Sequence, residues 1–297
     1  MNSKGQGALE YLLLVGGIIL VAALVLSVIT GVASRSEAAT ESRVAEAFCA
    51  PLTKRDCGAR DPDGEGSFTK RDCHFDAEVN KCVGGQIPIP PGVLVFYDFE
   101  SLEAGKVKDL SGNNNHGTLE NGATIVTGPN ATKVVSLDGD NDHVNIGNPP
   151  TLNLTSTTAT VSLWTKNDIT PVAGDSQMSK AESIRVYYPS ASTTNVKFRI
   201  NSSDTADIPA GQFNALNWNH LVGVYDGAKI RLFLNKVEVA NNNLTTPISS
   251  TAENMFVGKA SGAATNGTID GQIDEFGVWD RALSTKEIED LFNRGKP

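Results

Sequence analysis

Three groups of side chains in this sequence have types and spacings suited to chemistry. Cys49, Cys57, Cys73 and Cys82 are the only thiols and fall within 34 residues. Zinc sites are built from closely paired cysteines, and the only imidazole nearby is His74, so the spacing favours two disulfides over a metal. Three connectivities are open, and disulfides point to an oxidising, extracellular setting. A second candidate is Glu10, which stands at the edge of the uncharged run 11–34. A carboxylate beside such a run is costly unless a cation pairs with it. The third group is oxygen-rich: Asp98 and Glu100 share one face of an extended segment, Asp109 opens the Asn-rich loop 109–116, and Asp274 lies in a late alternating segment. Such donors suit a hard cation. Catalysis finds less support. Asp274 and Glu275 are adjacent, which in a regular strand sends them to opposite faces, whereas a retaining glycosidase needs two carboxyls about 5 to 5.5 Å apart. His116, His143 and His220 are isolated, and neither a nucleophile–base constellation nor a phosphate-binding glycine loop occurs. The expectation is a protein that is not an enzyme.

The elements that must position these groups are uneven along the 297 residues. A charged content of 20 % with 28 Gly and 13 Pro describes a mostly globular chain. Its net charge of −9, without a Lys/Arg cluster, excludes nucleic acid as a partner. As a helix, the run 11–34 is about 36 Å long, enough to cross a hydrocarbon core of about 30 Å. Lys4 ahead of it places the N-terminus in the cytoplasm and the rest outside. Good helix formers continue the pattern, giving one helix over about 9–48. The stretch 86–92, with three prolines, reads as a stiff extended linker. Beyond it the period changes from helical to alternating. Short segments at 93–100, 134–137, 143–146, 159–166, 183–188, 197–200, 220–225, 229–234, 236–240, 255–258 and 272–279, separated by Gly, Asn, Asp and Pro, predict a β-sandwich. Trp164, Trp218 and Trp279 are read as core. Ser284 and Glu287 form a capping box for a short helix over 285–292. The sequons at Asn130, Asn153, Asn201, Asn243 and Asn266 all fall in the sandwich and are candidates for glycosylation.

The N-terminal stretch KGQGALEYLLL resembles the class III signal of archaeal type IV pilin precursors. Carried over, cleavage falls between Gly5 and Gln6, and Gln6, Ala8, Glu10 and Leu14 take the family's spacing, with Ala8 in place of the usual Ser. The resemblance implies a leader at 1–5 and a hydrophobic assembly helix at 6–48, which the cysteine-rich segment at 49–86 and the linker at 87–92 follow. It also implies processing by a prepilin peptidase, export by pilus assembly machinery, residence in the membrane before assembly, and a helical homo-oligomeric filament. Glu10, the fifth mature residue, would then pair with the new α-amino group of a neighbouring subunit inside an apolar bundle.

Residues 93–297 carry a second resemblance. LVFYDFE, DLSGNNNHGTL, SLDGDNDHVNIG, WNHLVGVYDGAKIRLFLNKVEVA and IDGQIDEFGVWDRALSTKEIEDLFN are similar, in this order, to laminin G-like (concanavalin A-like) jelly rolls. The expected fold class is therefore an all-β jelly-roll sandwich preceded by a long helix and a small disulfide-stapled segment. The family sets 93–100 beside 272–279, which implies a structural Ca²⁺ site from Asp98, Asp109 and Asp274; ordinary solvated acids are the open alternative. Asn235-Lys236 replaces the family's usual Asn-Gly turn, predicting a strained or reshaped hairpin. Together the resemblances imply a cell-surface filament subunit displaying a domain for adhesion or recognition of surface glycans. An unassembled, single-pass anchored adhesin or receptor is the alternative, with a secreted glycan-processing enzyme behind it.

Overall fold

The computed structural model describes residues 73–76, 81–84 and 87–295, apart from 182, 192–193, 202, 206, 210 and 262–266. Gly5, Gln6, Glu10, Cys49, Cys57 and Asn266, and the expected helix over 6–48, lie outside the described residues. Among the described residues no helix is long and apolar enough to cross a membrane. The chain divides into two compact units, 1–86 and 87–297. In the first, β1 (Cys73–Asp76) and β2 (Lys81–Gly84) pair antiparallel, with Cys73 opposite Gly84 and Cys82 opposite Phe75.

The second unit opens with β3 (Val93–Tyr97), β4 (Leu102–Glu103), β5 (Lys106–Val107), β6 (Thr118–Glu120), β7 (Thr124–Thr127), β8 (Lys133–Asp138) and β9 (His143–Gly147). It continues through β10 (Ala159–Asn167), β11 (Ser176–Lys180), β12 (Ile184–Tyr187), β13 (Lys197–Ile200), β14 (Ser203–Asp204) and β15 (Asn219–Tyr225). It closes with β16 (Lys229–Leu234), β17 (Val237–Asn243), β18 (Met255–Val257), β19 (Asp270–Trp279) and the helix α1 (Thr285–Arg294). One sheet runs β17-β16-β15-β10-β19-β8-β7, with β3 added on β19, and the other runs β14-β13-β12-β11-β18-β9-β6. The described strand pairings are antiparallel, as in a jelly-roll sandwich.

Alternation makes the core. Val161 and Leu163 of β10 point inward to meet Met178, Val186 and Phe198 of the second sheet, and Tyr97 packs on Phe276 with ring centroids 5.9 Å apart. The first sheet is apolar on its outer face as well: Phe96, Val222, Val224, Phe233 and Trp279 face outward and are covered by Leu283, Ile288 and Leu291. Burying each of these aliphatic side chains contributes about 1.5 to 3 kcal/mol. The helix that carries two of them starts where the sequence places it. Ser284 Oγ accepts from Glu287 N, and Glu287 Oε2 accepts from Ser284 N at 2.8 Å. It runs two residues past 292 because Arg294 is held inside, 2.9 Å from Glu275.

The proline stretch is not a spacer here. Trp279 Nε1 donates to the Pro90 carbonyl at 2.9 Å, Arg281 Nε to that of Pro91 at 2.9 Å and Arg294 Nη1 to that of Ile87, while Ile89 packs on the apolar patch beneath α1. Residues 87–92 thus belong to the sandwich unit, fastened at its start by side chains from its end. Trp164 and Trp279 are buried as expected, and Trp218 is half-buried.

Candidate binding face

Among the described residues no helix covers the outer face of the second sheet, and the register aligns one side chain from each strand across it. Thr118 lies opposite Asn145, Asn145 opposite Phe256, Phe256 opposite Ser179, Ser179 opposite Arg185, Arg185 opposite Arg199, and Arg199 opposite Asp204. Their sequence neighbours Leu119, Val144, Val257, Met178, Ile184 and Phe198 point into the core. Alternation therefore delivers the outward row as surely as it delivers the inward one.

The row is polar and preorganised and is flanked by two rings, and its middle member Ser179 is fully buried, its Oγ donating to the Lys259 carbonyl at 2.8 Å. Arg199 forks onto Asp204, with Nε to Oδ1 at 2.7 Å and Nη2 to Oδ2 at 2.9 Å. The Tyr187 hydroxyl donates to Asp204 Oδ2 at 3.0 Å and accepts from Arg199 Nη2 at 2.6 Å. The guanidinium carbons of Arg185 and Arg199 lie 4.5 and 4.7 Å from the centroid of the Tyr187 ring, a cation–π arrangement. Burial first, and then the charge of Asp204, push the Tyr187 hydroxyl up to about 12, so it stays protonated. Arg185 also donates to Ser176 Oγ and the Gly174 carbonyl. At the other end, Phe256 is flanked by His143, edge-on at 5.1 Å, and by Lys259 Nζ at 5.5 Å. Asn145 Nδ2 donates to Glu120 Oε1 at 2.9 Å, and His143 Nε2 lies 3.0 Å from Glu120 Oε2. Hydroxyl, amide, guanidinium and carboxylate groups beside ring faces, fixed by their own hydrogen bonds, can bind a polyhydroxylated ligand at little ordering cost.

The acids expected to hold calcium are put to other uses. Asp109 Oδ1 accepts from Phe96 N and Ser111 N at 3.0 and 2.9 Å, and Oδ2 from Ser111 Oγ and Asn115 N at 2.7 and 2.8 Å. Asn113 and Asn115 donate to the Leu94 carbonyl, and Asp109 N donates to His116 Nδ1 at 3.0 Å. The oxygens and amides of loop 109–116 thus bind the loop to its own strand. Asp98 Oδ1 accepts from Glu100 N at 3.1 Å. Asp274 is fully buried, its Oδ1 accepting from Glu275 N at 2.8 Å. β3 does lie beside β19 as the jelly roll requires. Among the described residues, however, no three His, Cys, Asp or Glu side chains converge as a metal ion needs, so Asp98, Asp109 and Asp274 do not fit one calcium shell.

Asp274 and Glu275 also depart from the expectation that adjacent acids face apart. The β10–β19 register shifts between Ser162 and Trp164, and Glu275 has φ of 49°. This bulge turns Asp274, opposite Trp164, and Glu275, paired to Arg294, toward the same helix-covered side. Both acids are buried there.

Of the sequons, Asn153 and Asn243 are exposed, with Asn153 Oδ1 accepting from Ser250 Oγ at 2.9 Å. Asn201 is half-buried and engaged through Nδ2 to the Pro247 carbonyl at 3.0 Å.

The sequence signals the outward row only in part, because β11, reading SQMSK, has a single apolar residue and no strand signature. The available signal was Arg185-x-Tyr187 alternating within the expected strand 183–188.

Residues 3–29 match the family of class III signal peptides, supporting a type IV pilin-like precursor that carries a jelly-roll domain. No curated protein matches the chain. Among solved structures, the binding domain of Paraclostridial Mosquitocidal Protein 1 is similar at 17 % identity and a TM-score of 0.53, over 69 % of this chain and 55 % of that one. The chain thus spans about half the length of that toxin domain. Domain 4 of AbnA, a GH43 extracellular arabinanase from Geobacillus stearothermophilus, in complex with arabinotriose, is similar at 16 % identity and 0.53, over 67 % of this chain and 97 % of that one. The botulinum neurotoxin serotype D ligand-binding domain in complex with N-acetylneuraminic acid is similar at 10 % identity and 0.51, over 69 % and 54 %. At these identities the likeness is one of fold. The match of residues 138–289, half of the sequence, is decisive: the chain belongs to the concanavalin A-like lectin/glucanases superfamily.

Proposed function

We propose that this protein is a subunit of a type IV pilus-like surface filament that displays a non-catalytic jelly roll for recognising glycans. The class III signal supports the filament half: a prepilin peptidase cuts between Gly5 and Gln6, and the helix over 6–48 leaves the membrane to pack against its own copies, with Glu10 pairing to a neighbour's α-amine. The recognition half rests on one observation, the polar and aromatic row Asn145, Phe256, Arg185 and Arg199 on a sheet face that no described helix covers. Two of the similar folds, domain 4 of AbnA and the serotype D binding domain, are described in complex with sugars.

Two measurements test this. N-terminal sequencing of the mature chain should begin at Gln6, and Glu10→Leu should remain in the membrane yet fail to enter filaments; normal filaments from that variant would remove the proposed role of Glu10. On a glycan array carrying arabino-oligosaccharides and sialylated glycans, the full chain should bind a subset. Phe256→Ala and Arg185→Ala should lose that binding at least tenfold with little change in thermal midpoint. An array without signal, or variants that bind as well as the parent, would overturn the assignment of this face.

A further inference from the structure

Inside the sandwich, away from the candidate binding face, a set of polar groups lies buried with several of its atoms left without a hydrogen-bond partner. Thr165 and Asn167 are on the inward side of β10, continuing the line of Val161 and Leu163. Across from them is Tyr188, wholly buried and stacked on Phe213 at 6.4 Å, whose hydroxyl donates to Asn167 Oδ1 at 2.7 Å. Gln177 completes the set. The β11–β12 register shifts between Ser176 and Met178, so Gln177 is the extra residue of a bulge, and its side chain is 0 % exposed. Its amide faces the Tyr188 hydroxyl, whose ionisation burial pushes well above its ordinary range and the amide partly restores.

Within this set Asn167 Nδ2 and Thr165 Oγ1 make no hydrogen bond to the protein, and the Gln177 amide faces the Tyr188 hydroxyl outside hydrogen-bond geometry. A buried amide left dry costs about 1 to 3 kcal/mol, and native interiors pair such groups with protein or ordered water. Carboxamide donors, a carboxamide acceptor and two hydroxyls are a water-like mixture without net charge, and a buried water takes about two to four such partners.

We infer that Thr165, Asn167, Gln177 and Tyr188 form an internal hydration site, in which ordered water bridges β10 of one sheet to the bulge of β11 in the other. The site has a consequence for the surface. The bulge resets the alternation of β11, and it is this reset that turns Ser179 outward opposite Phe256 and Arg185. Water bound to Gln177 therefore holds the bulge that aligns the outward row, whatever that row binds.

The test uses the full chain. Crystallographic or cryo-EM density at a resolution that shows solvent should contain at least one water within hydrogen-bond distance of Gln177 and Asn167; a dry, well-ordered site would overturn the inference. Stability supplies the second reading. If water bridges these groups, Gln177→Leu displaces it and leaves Asn167 and Thr165 unpaired, so the midpoint should fall by about 2 to 4 °C. Adding Asn167→Leu and Thr165→Val should then recover much of that loss through non-additivity. If the site is dry, Gln177→Leu alone should raise the midpoint, and that rise would refute the proposal even where density is ambiguous.

Discussion

On β15 the outward side chains are His220, Val222 and Val224; on β12 they are Arg185 and Tyr187. Both strands lie inside their sheets and both obey the same alternation. The first has helix α1 laid over it; over the second no described helix lies, and the guanidinium groups of Arg185 and Arg199 cover the Tyr187 ring. A covered face must be apolar or internally paired, because every polar atom beneath α1 loses water. An open face can hold guanidinium, carboxylate and amide groups at little cost, and their mutual hydrogen bonds then fix them for a ligand. With the function proposed above, stability belongs to one face and recognition to the other. Equivalent substitutions should accordingly give opposite readouts.

The sharpest break lies under the helix. Arg294 and Glu275 are each 3 % exposed and 2.9 Å apart, and Arg294 also stacks on Phe96 at 5.2 Å and donates to Ile87. Arg294→Met should cost about 3 to 5 kcal/mol, because it strips the guanidinium from a buried carboxylate. It should also loosen residues 87–92, seen as faster amide exchange there. Adding Glu275→Leu should return much of the loss, since apolar replacement of a whole buried pair is often neutral. A double variant no more stable than the single one would show that the pair specifies the bulge as well as neutralising it. Arg185→Ala, which gives up hydrogen bonds to Ser176 and Gly174 at a half-buried site, should by contrast cost only about 1 kcal/mol.

A smaller effect comes from His220. Its Nε2 lies 2.9 Å from Ser162 Oγ, and Trp164 and Phe292 enclose the ring. Burial lowers its pKa to about 3. An imidazole in the unfolded chain titrates near 6.5, so between those values the unfolded state binds more protons and stability falls as pH falls. Above about pH 6.5 this penalty is absent; it grows on acidification and is complete near pH 3. His220→Gln should flatten the difference in midpoint between pH 7 and pH 4 relative to the parent. An unchanged pH slope would mean that the ring does not stay neutral under α1.

How far these faces were legible in the sequence depended on how much of each signal is local. The capping box at Ser284 and the alternation of β15 and β19 are carried by adjacent residues, and helix and strands formed where that pattern puts them. The jelly roll itself was legible through ordered motifs. β11 was not, because its polarity answers to an open face and to a bulge fixed by partners far along the chain. The oxygen-rich loop after Asp109 was visible but misread: sequence shows donors and acceptors, while only the fold shows that backbone amides of Phe96, Ser111 and Asn115 reach that carboxylate first. The bulge at Glu275 was equally hidden, since nothing in Asp-Glu announces a positive φ. The proline stretch looked like a linker because its tethers, Trp279, Arg281 and Arg294, lie about 190 residues away or more.

The smallest predicted effect tests where local strain and the covered face meet. Asn235 and Lys236 both have positive φ, 48° and 69°, as a two-residue hairpin between Leu234 and Val237 requires. Asn tolerates this, and its Oδ1 accepts from His220 N at 2.9 Å. Lys does not tolerate it: an L side chain in this region costs about 1 kcal/mol or more. Lys236 offsets part of that by reaching α1, where its Nζ lies 3.0 Å from Glu289 Oε1 and 5.3 Å from the Phe292 ring. Both partners of that pair are well exposed, so it contributes roughly 0 to 1 kcal/mol. Relief of strain should slightly outweigh the lost tether, and Lys236→Gly should stabilise the protein by about 0.5 kcal/mol. Glu289→Ala separates the two contributions. If the tether matters, it should destabilise the parent but leave Lys236→Gly unchanged, a difference that chemical denaturation can resolve across the cycle. Should Lys236→Gly instead destabilise the chain, the turn would serve as a fastening for α1, and the covered face would extend one residue beyond the sheet it covers.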